Sequence, residues 1–173
     1  MILVSGPSRG GKSRWAEHLA SEFKNVAYIA SCMDIKEDPQ WNKRVEAHKL
    51  RRPSHWILVE APIDLASTIE QACSCNILID SLGGFVAQNL KLNDDHWAEC
   101  INILIEIIHQ HTHEIIIVIE ETGWGVIPSS REGLLFRDRL GSLAQLLELS
   151  STQSWLVIQG RAINLKLIGT TVP

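Results

Sequence analysis

The run Gly6-Pro7-Ser8-Arg9-Gly10-Gly11-Lys12-Ser13 matches G-x-x-x-x-G-K-[ST] at every fixed position. The chemistry this spacing supports is the capture of a polyphosphate. Gly10 and Gly11 let the backbone curl until its N–H groups converge on phosphate oxygens. A helix starting there turns its positive end toward the same anion. Lys12 adds a mobile charge for the outer phosphates, and the Ser13 hydroxyl is of the kind that ligates the accompanying Mg²⁺. The motif therefore predicts binding of a nucleoside triphosphate. It does not choose a reaction, because kinases, switches, motors and transporters all use it.

Two further constellations narrow the choice. The apolar run Asn76-Ile77-Leu78-Ile79 ends in Asp80, a carboxylate placed to hold Mg²⁺ through water. Glu120 and Glu121 close a similar run and compete for that role. The other constellation is cationic: Lys43, Arg44, Lys49, Arg51 and Arg52 crowd around His48. In a chain of net charge −4, a local cluster of this kind marks an anion site. A neutral imidazole can attack phosphorus, and neighbouring cations favour the neutral form. A solvated basic helix with an ordinary surface histidine is the competing reading. His109, His111 and His113 alternate but lack a Cys or acidic partner at ligand spacing, and Cys73 and Cys75 lack a second pair. Neither set reads as a metal centre. Arg131, Arg137 and Arg139 are either phosphate-reaching or solvated helix charges.

The elements that must position these residues follow from periodicity. Strands are predicted over 1–5, 25–30, 56–60, 76–80, 114–120 and 154–158. Helices are predicted over 12–23, 40–51, 64–72, 83–92, 95–109 and 130–149. The 95–109 stretch is unusually apolar and is expected to be well covered. Strands alternating with helices imply an α/β fold, a mostly parallel sheet with helices on both faces. With 173 residues and no linker or repeat, one domain over 1–173 is expected. Hydrophobic content of 45% and charged content of 21% are ordinary for a soluble protein, and the absence of a basic surplus argues against nucleic acid as a partner. Four cysteines make no disulfide framework, the chain opens on a strand pattern rather than a signal peptide, and no apolar run approaches a membrane span of about 20 residues. A cytoplasmic protein is the expectation. Among the tryptophans, Trp56 and Trp155 fall at strand starts and read as core.

Nearly end to end, the chain resembles the bifunctional adenosylcobinamide kinase / adenosylcobinamide-phosphate guanylyltransferase family of cobalamin synthesis. The resemblance rests on Ile2-Leu3-Val4-Ser5-Gly6 through Gly11-Lys12-Ser13-Arg14 and on Ala27-Tyr28-Ile29-Ala30-Ser31. It rests most specifically on Arg44-Val45-x-x-His48-Lys49-x-x-Arg52-Pro53-x-x-Trp56. Glu121-x-Gly123-x-Gly125-Val126-Ile127-Pro128, Phe136-Arg137-Asp138-x-x-Gly141 and Trp155-Leu156-Val157-Ile158-x-Gly160 extend it. It implies a RecA-like P-loop NTPase sheet in a propeller-like homotrimer. It also implies two reactions: phosphorylation of adenosylcobinamide by a triphosphate, ATP or GTP, and transfer of GMP from GTP to adenosylcobinamide phosphate through a GMP-histidine. By position the histidine is His48. The implied nucleotide contacts are Gly6, Pro7, Ser8, Arg9, Gly10, Gly11, Lys12, Ser13, Ser31, Cys32, Met33, Lys49, Leu50, Arg51, Arg52, Glu60 and Asp80, with Ser13 and Asp80 on Mg²⁺. Trp124 then stands to cover a bound corrinoid or to meet a second subunit. The chain departs from the family pattern at Glu120, at Ser81-Leu82-Gly83-Gly84 and at Ala144, positions bearing on phosphoryl transfer or corrinoid binding more than on nucleotide binding. A plain P-loop small-molecule kinase and a nucleotide-binding regulatory module are the alternatives.

Overall fold

Short runs of branched aliphatic residues cannot satisfy their backbone alone, and here they pair into one seven-stranded sheet. The computed structural model describes residues 1–31, 46, 49–60 and 64–172. Its strands are β1 (Ile2–Gly6), β2 (Val26–Ala30), β3 (Ile57–Glu60), β4 (Asn76–Asp80), β5 (Ile115–Glu120), β6 (Gln153–Ile158) and β7 (Arg161–Asn164). They lie in the order β3-β2-β4-β5-β1-β6-β7. All pairings among the first six are parallel, and β7 returns antiparallel to β6. The helices are α1 (Lys12–Ala20), α2 (Leu65–Gln71), α3 (Leu82–Gln88), α4 (Asp94–Gln110), α5 (Arg131–Ser150) and α6 (Leu165–Ile168).

Alternation along the strands builds two cores, one on each face. Ile2, Val4, Tyr28, Leu78, Ile116 and Val118 point to one side, where Ala16 and Ala20 of α1 and Trp56 cover them. Leu3, Ile29, Ile77, Ile79, Ile115, Ile117 and Ile119 point to the other, under residues of α2, α3, α4 and α5. Burying each such aliphatic side chain is worth about 1.5–3 kcal/mol, which favours this register over a slip by one residue. In β4 the register that buries Leu78 also places Asp80 on the α1 side.

The sheet is the RecA-like P-loop arrangement, with β5 inserted between the strand that leads into the glycine loop and the strand that ends in Asp80. Several local expectations change. β7 and α6 lie beyond the elements read from the sequence; the turn before β7 uses positive φ at Gln159 (52°) and Gly160 (75°). The helix expected to reach 92 ends at Gln88. α4 is covered on one face only, through Trp97, Ile101, Leu104 and Ile108, while Ile103 remains 47% exposed. The helix expected over 40–51 falls largely outside the described residues.

Arg139 is not a solvated helix charge. It is buried and donates to the carbonyls of Asn89 (3.0 Å) and Leu92 (2.7 Å) and to Asp94 Oδ1 (3.3 Å). Its guanidinium also lies 4.9 Å over the Trp97 ring. It satisfies carbonyls past the end of α3 and fixes the connection into α4. Arg137 pairs with its exposed neighbour Asp138.

Candidate functional site

The carboxyl ends of the parallel strands form the crevice where an open α/β sheet binds its ligand. β1 delivers the glycine loop to that edge. Gly6 and Gly11 take φ values of 144° and 108°, which side-chain-bearing residues rarely adopt. Gly10 is required for a different reason: a Cβ there would stand 2.5 Å from the Val157 carbonyl oxygen of β6. The turn after β6 latches the loop, with Gly160 N–H donating to Gly10 O at 2.9 Å. Lys12 Nζ folds over the loop and donates to Pro7 O at 3.0 Å. The N-cap of α1 is Gly11, which brings no side chain to its first amides, and its first turn carries no acidic residue. The positive end of α1 is thus presented to an anion.

Asp80 closes β4 on the α1 side. Tyr28 Oη donates to Asp80 Oδ2 at 2.8 Å. Burial, followed by the charge and hydrogen bond of Asp80, holds the Tyr28 phenol far above the ordinary tyrosine range, so it remains a donor. α1, which opens with Lys12 and Ser13, packs across β1, β4, β5 and β6. A carboxylate and a hydroxyl at one sheet edge are hard oxygen donors suited to Mg²⁺.

The two glutamates are engaged elsewhere. Ser81 Oγ donates to Glu120 Oε1, and Gly83 N–H donates to Glu120 Oε2 at 3.0 Å. Ser31 Oγ donates to the Ser81 carbonyl, and Gln88 Nε2 to the Ser31 carbonyl at 3.0 Å. This brace ties the ends of β2, β4 and β5 together. It includes Ser31, expected at the nucleotide, and it joins Glu120 to Ser81 and Gly83, residues that depart from the family pattern at separate places in the chain. Glu121 Oε1 accepts from Gly123 N–H at 2.8 Å. Both glutamates thus accept from groups at this edge, while Asp80 accepts from Tyr28.

The cationic segment divides. Arg51 makes a bidentate pair with Glu17 of α1, at 2.9 and 3.1 Å, and that hydrogen bonding raises the already high pKa of Arg51. The Arg52 guanidinium lies 4.4 Å over the Tyr28 ring, and Tyr28 stacks on Trp56 at 6.3 Å. Arg52 Nη1 is buried with no hydrogen-bond partner among the described residues. Lys49 lies 3.9 Å from Glu60 at the end of the edge strand β3, with both side chains substantially exposed. Leu50 is 85% exposed. His48, Cys32 and Met33 lie outside the described residues. Trp56 is buried, as expected, while Trp155 is only partly so. Trp124 is 58% exposed.

A family model described as cobinamide kinase / cobinamide phosphate guanyltransferase matches residues 2–165. The chain belongs to this family. The bifunctional adenosylcobalamin biosynthesis protein CobU of Salmonella typhimurium is 30% identical, over 96% of this chain and 99% of that protein. The protein of the same name from Escherichia coli K12 is 31% identical with the same coverage. Bifunctional adenosylcobalamin biosynthesis protein CobP of Pseudomonas aeruginosa is 31% identical over 95% of this chain and 96% of that one. A solved chain from Pyrococcus horikoshii OT3 shares the fold, with a TM-score of 0.56 and 7% identity, covering 95% of this chain and 85% of that chain.

As a member of the cobinamide kinase / cobinamide phosphate guanyltransferase family, the chain is a transferase that uses a nucleotide. Some of its site architecture was not anticipated. The pairing of Glu17 with Arg51 has no local signal in the sequence, because a carboxylate on a short helix looks solvated, yet Glu17 is buried beside Ala16. Tyr28 is the single tyrosine of the chain, set in an aliphatic strand, and that oddity was readable. Among the alternating histidines, His111 Nε2 lies 2.9 Å from Cys75 O, and no group of three or more His, Cys, Asp or Glu gathers among the described residues. No helix among those residues is long and apolar enough to cross a membrane.

Proposed function

We propose that this chain phosphorylates adenosylcobinamide and then transfers GMP from GTP to adenosylcobinamide phosphate through a GMP adduct on His48. The observation that carries this reading is the bidentate Arg51–Glu17 pair. Glu17 stands about 6 Å along α1 from Ser13, at 1.5 Å per residue. Arg51 is three residues after His48 in sequence, and three residues of chain span at most about 10 Å. The pair thus tethers the histidine segment to the helix that the phosphate loop begins. Arg52, with a buried N–H lacking an acceptor among the described residues, supports an anion beside it.

The same triphosphate site then serves two attacks, each on its own nucleotide molecule. In the first, the aminopropanol hydroxyl oxygen of the corrinoid bonds to the γ-phosphorus and the diphosphate departs. In the second, a neutral His48 nitrogen bonds to the α-phosphorus of GTP and pyrophosphate departs. The cobinamide phosphate oxygen next takes the GMP, breaking the P–N bond and restoring the imidazole. Gly6 to Gly11 and the N-terminus of α1 hold the phosphate oxygens, and Lys12 follows the outer charge. Ser13 and Asp80 would hold Mg²⁺, which when bound neutralises phosphate charge. Cys32, Met33, Lys49, Leu50 and Glu60 complete the proposed nucleotide contacts, with the Glu60 carboxylate suited to the N–H donors of guanine. The whole chain acts as a single cytoplasmic domain within a homotrimer. The exposure of Trp124, Val126 and Ile127 on the β5–α5 loop supports a covered face in the assembly.

The test is incubation with α-labelled GTP followed by isolation of the protein. An acid-labile, base-stable GMP adduct, absent from His48→Ala, is expected, while His48→Ala retains most kinase activity. An adduct that survives His48→Ala, or no adduct at all, overturns the mechanism. Equal loss of both activities in His48→Ala would make the residue a nucleotide-positioning group instead of the nucleophile.

A further inference from the structure

Tyr28 occupies the middle of β2, where every neighbour in the strand is aliphatic. Its cross-strand partner on β4 is Leu78, so Asp80 is its diagonal neighbour on the same face. That diagonal is about 7–8 Å, a span that an aromatic side chain crosses and an aliphatic one does not. The phenol crosses it and donates to Asp80 Oδ2 at 2.8 Å. The ring has little freedom to swing away. It is 3% exposed, with the Arg52 guanidinium 4.4 Å from its centroid and the Trp56 ring stacked at 6.3 Å and 25°. One side chain therefore touches the carboxylate assigned to the divalent cation and the cation that follows the assigned nucleophile.

We propose that Tyr28 is a positioning residue joining the two chemistries: its hydroxyl sets the Asp80 carboxylate for the metal, and its ring seats Arg52 at the same edge. The two functions are separable, because the hydroxyl acts on Asp80 and the ring acts on Arg52. The proposal rests on the reading of Asp80 as the carboxylate that meets the Mg²⁺–nucleotide.

The experiment is calorimetric titration of the full chain with GTP, in Mg²⁺ and in EDTA, for Tyr28→Phe, Tyr28→Leu, Asp80→Asn and the double variant Tyr28→Phe/Asp80→Asn. Groups that orient a metal ligand typically change metal affinity by about 10–100-fold. Tyr28→Phe is thus expected to cut the Mg²⁺-dependent gain in GTP affinity by about tenfold while leaving binding in EDTA unchanged. Tyr28→Leu is expected to weaken binding in EDTA as well, through Arg52. The double variant is expected to lose no more than Asp80→Asn alone. A full Mg²⁺-dependent gain in Tyr28→Phe, with that gain lost in Asp80→Asn, overturns the role of Tyr28 and leaves that of Asp80 standing. A full gain in Asp80→Asn overturns both.

Discussion

Replacing Gly83 with alanine should destabilise the protein when Glu120 is present and stabilise it when Glu120 is absent. A Cβ at position 83 would stand 2.6 Å from Glu120 Oε2 and 2.9 Å from its Cδ. The carboxylate can rotate clear of the methyl, so the cost comes less from overlap than from the bonds it abandons. Those bonds are the Gly83 N–H, 3.0 Å from Oε2, and the Ser81 hydroxyl. A hydrogen bond to an ionised acceptor contributes about 1.5–3 kcal/mol, and water recovers part of that at a half-buried site, leaving a loss of about 2–3 kcal/mol. Alanine in place of glycine inside α3 returns up to about 1 kcal/mol of helix propensity. The net loss is then about 1–2 kcal/mol. At roughly 2–4 °C per kcal/mol for a chain of this size, the midpoint falls by about 2–8 °C. With Glu120→Ala already made, the bonds are gone and only the propensity gain remains, so the double variant should melt above Glu120→Ala. Urea and thermal midpoints of the two single variants and the double decide the matter. Additive losses, or a silent Gly83→Ala, would falsify the brace.

Gly10→Ala meets a backbone oxygen that cannot rotate aside, Val157 O at 2.5 Å, so the loop must open. Overpacking of about 1–3 kcal/mol predicts GTP binding weakened about tenfold or more by calorimetry; unchanged affinity would contradict the packing argument. Arg139→Met empties a buried clamp on two carbonyls and Asp94. It should lower unfolding free energy by about 2–4 kcal/mol with nucleotide affinity intact, and a loss of affinity instead would place Arg139 in the site after all.

What was legible in the sequence was what is local. The run Ile115–Ile119 reads as a doubly covered strand because five branched residues in succession suit little else, and the strand and helix around the glycine loop are legible because they flank it within a few residues. What stayed illegible depends on pairing. That Glu120 bonds to Ser81, 39 residues earlier in the chain, shows only once β5 is seen beside β4. Tyr28 meets Asp80 across 52 residues, a separation no periodicity encodes. Arg139 looked like an ordinary charge of an amphipathic helix, since nothing local announces that the carbonyls past α3 need a donor. The apolar composition of α4 suggests a well-covered helix, but composition counts apolar residues without saying how many neighbours exist to receive them, and Ile103 stays 47% exposed.

The latch between Gly160 and Gly10 has a consequence for biosynthesis. β1 is translated first, yet both of its neighbours in the sheet, β5 and β6, come from beyond residue 114. At about 5–20 residues per second, the ribosome leaves this apolar strand unpaired for several seconds, and the loop it carries is held only after Gly160 emerges. On the proposed function, a nucleotide therefore cannot stabilise the nascent chain by occupying this loop before Gly160 is made. The proposed nucleotide loop thus precedes by more than a hundred residues the strands that hold it, and until they are made Ile2, Leu3 and Val4 depend on chaperones or on transient collapse for shelter.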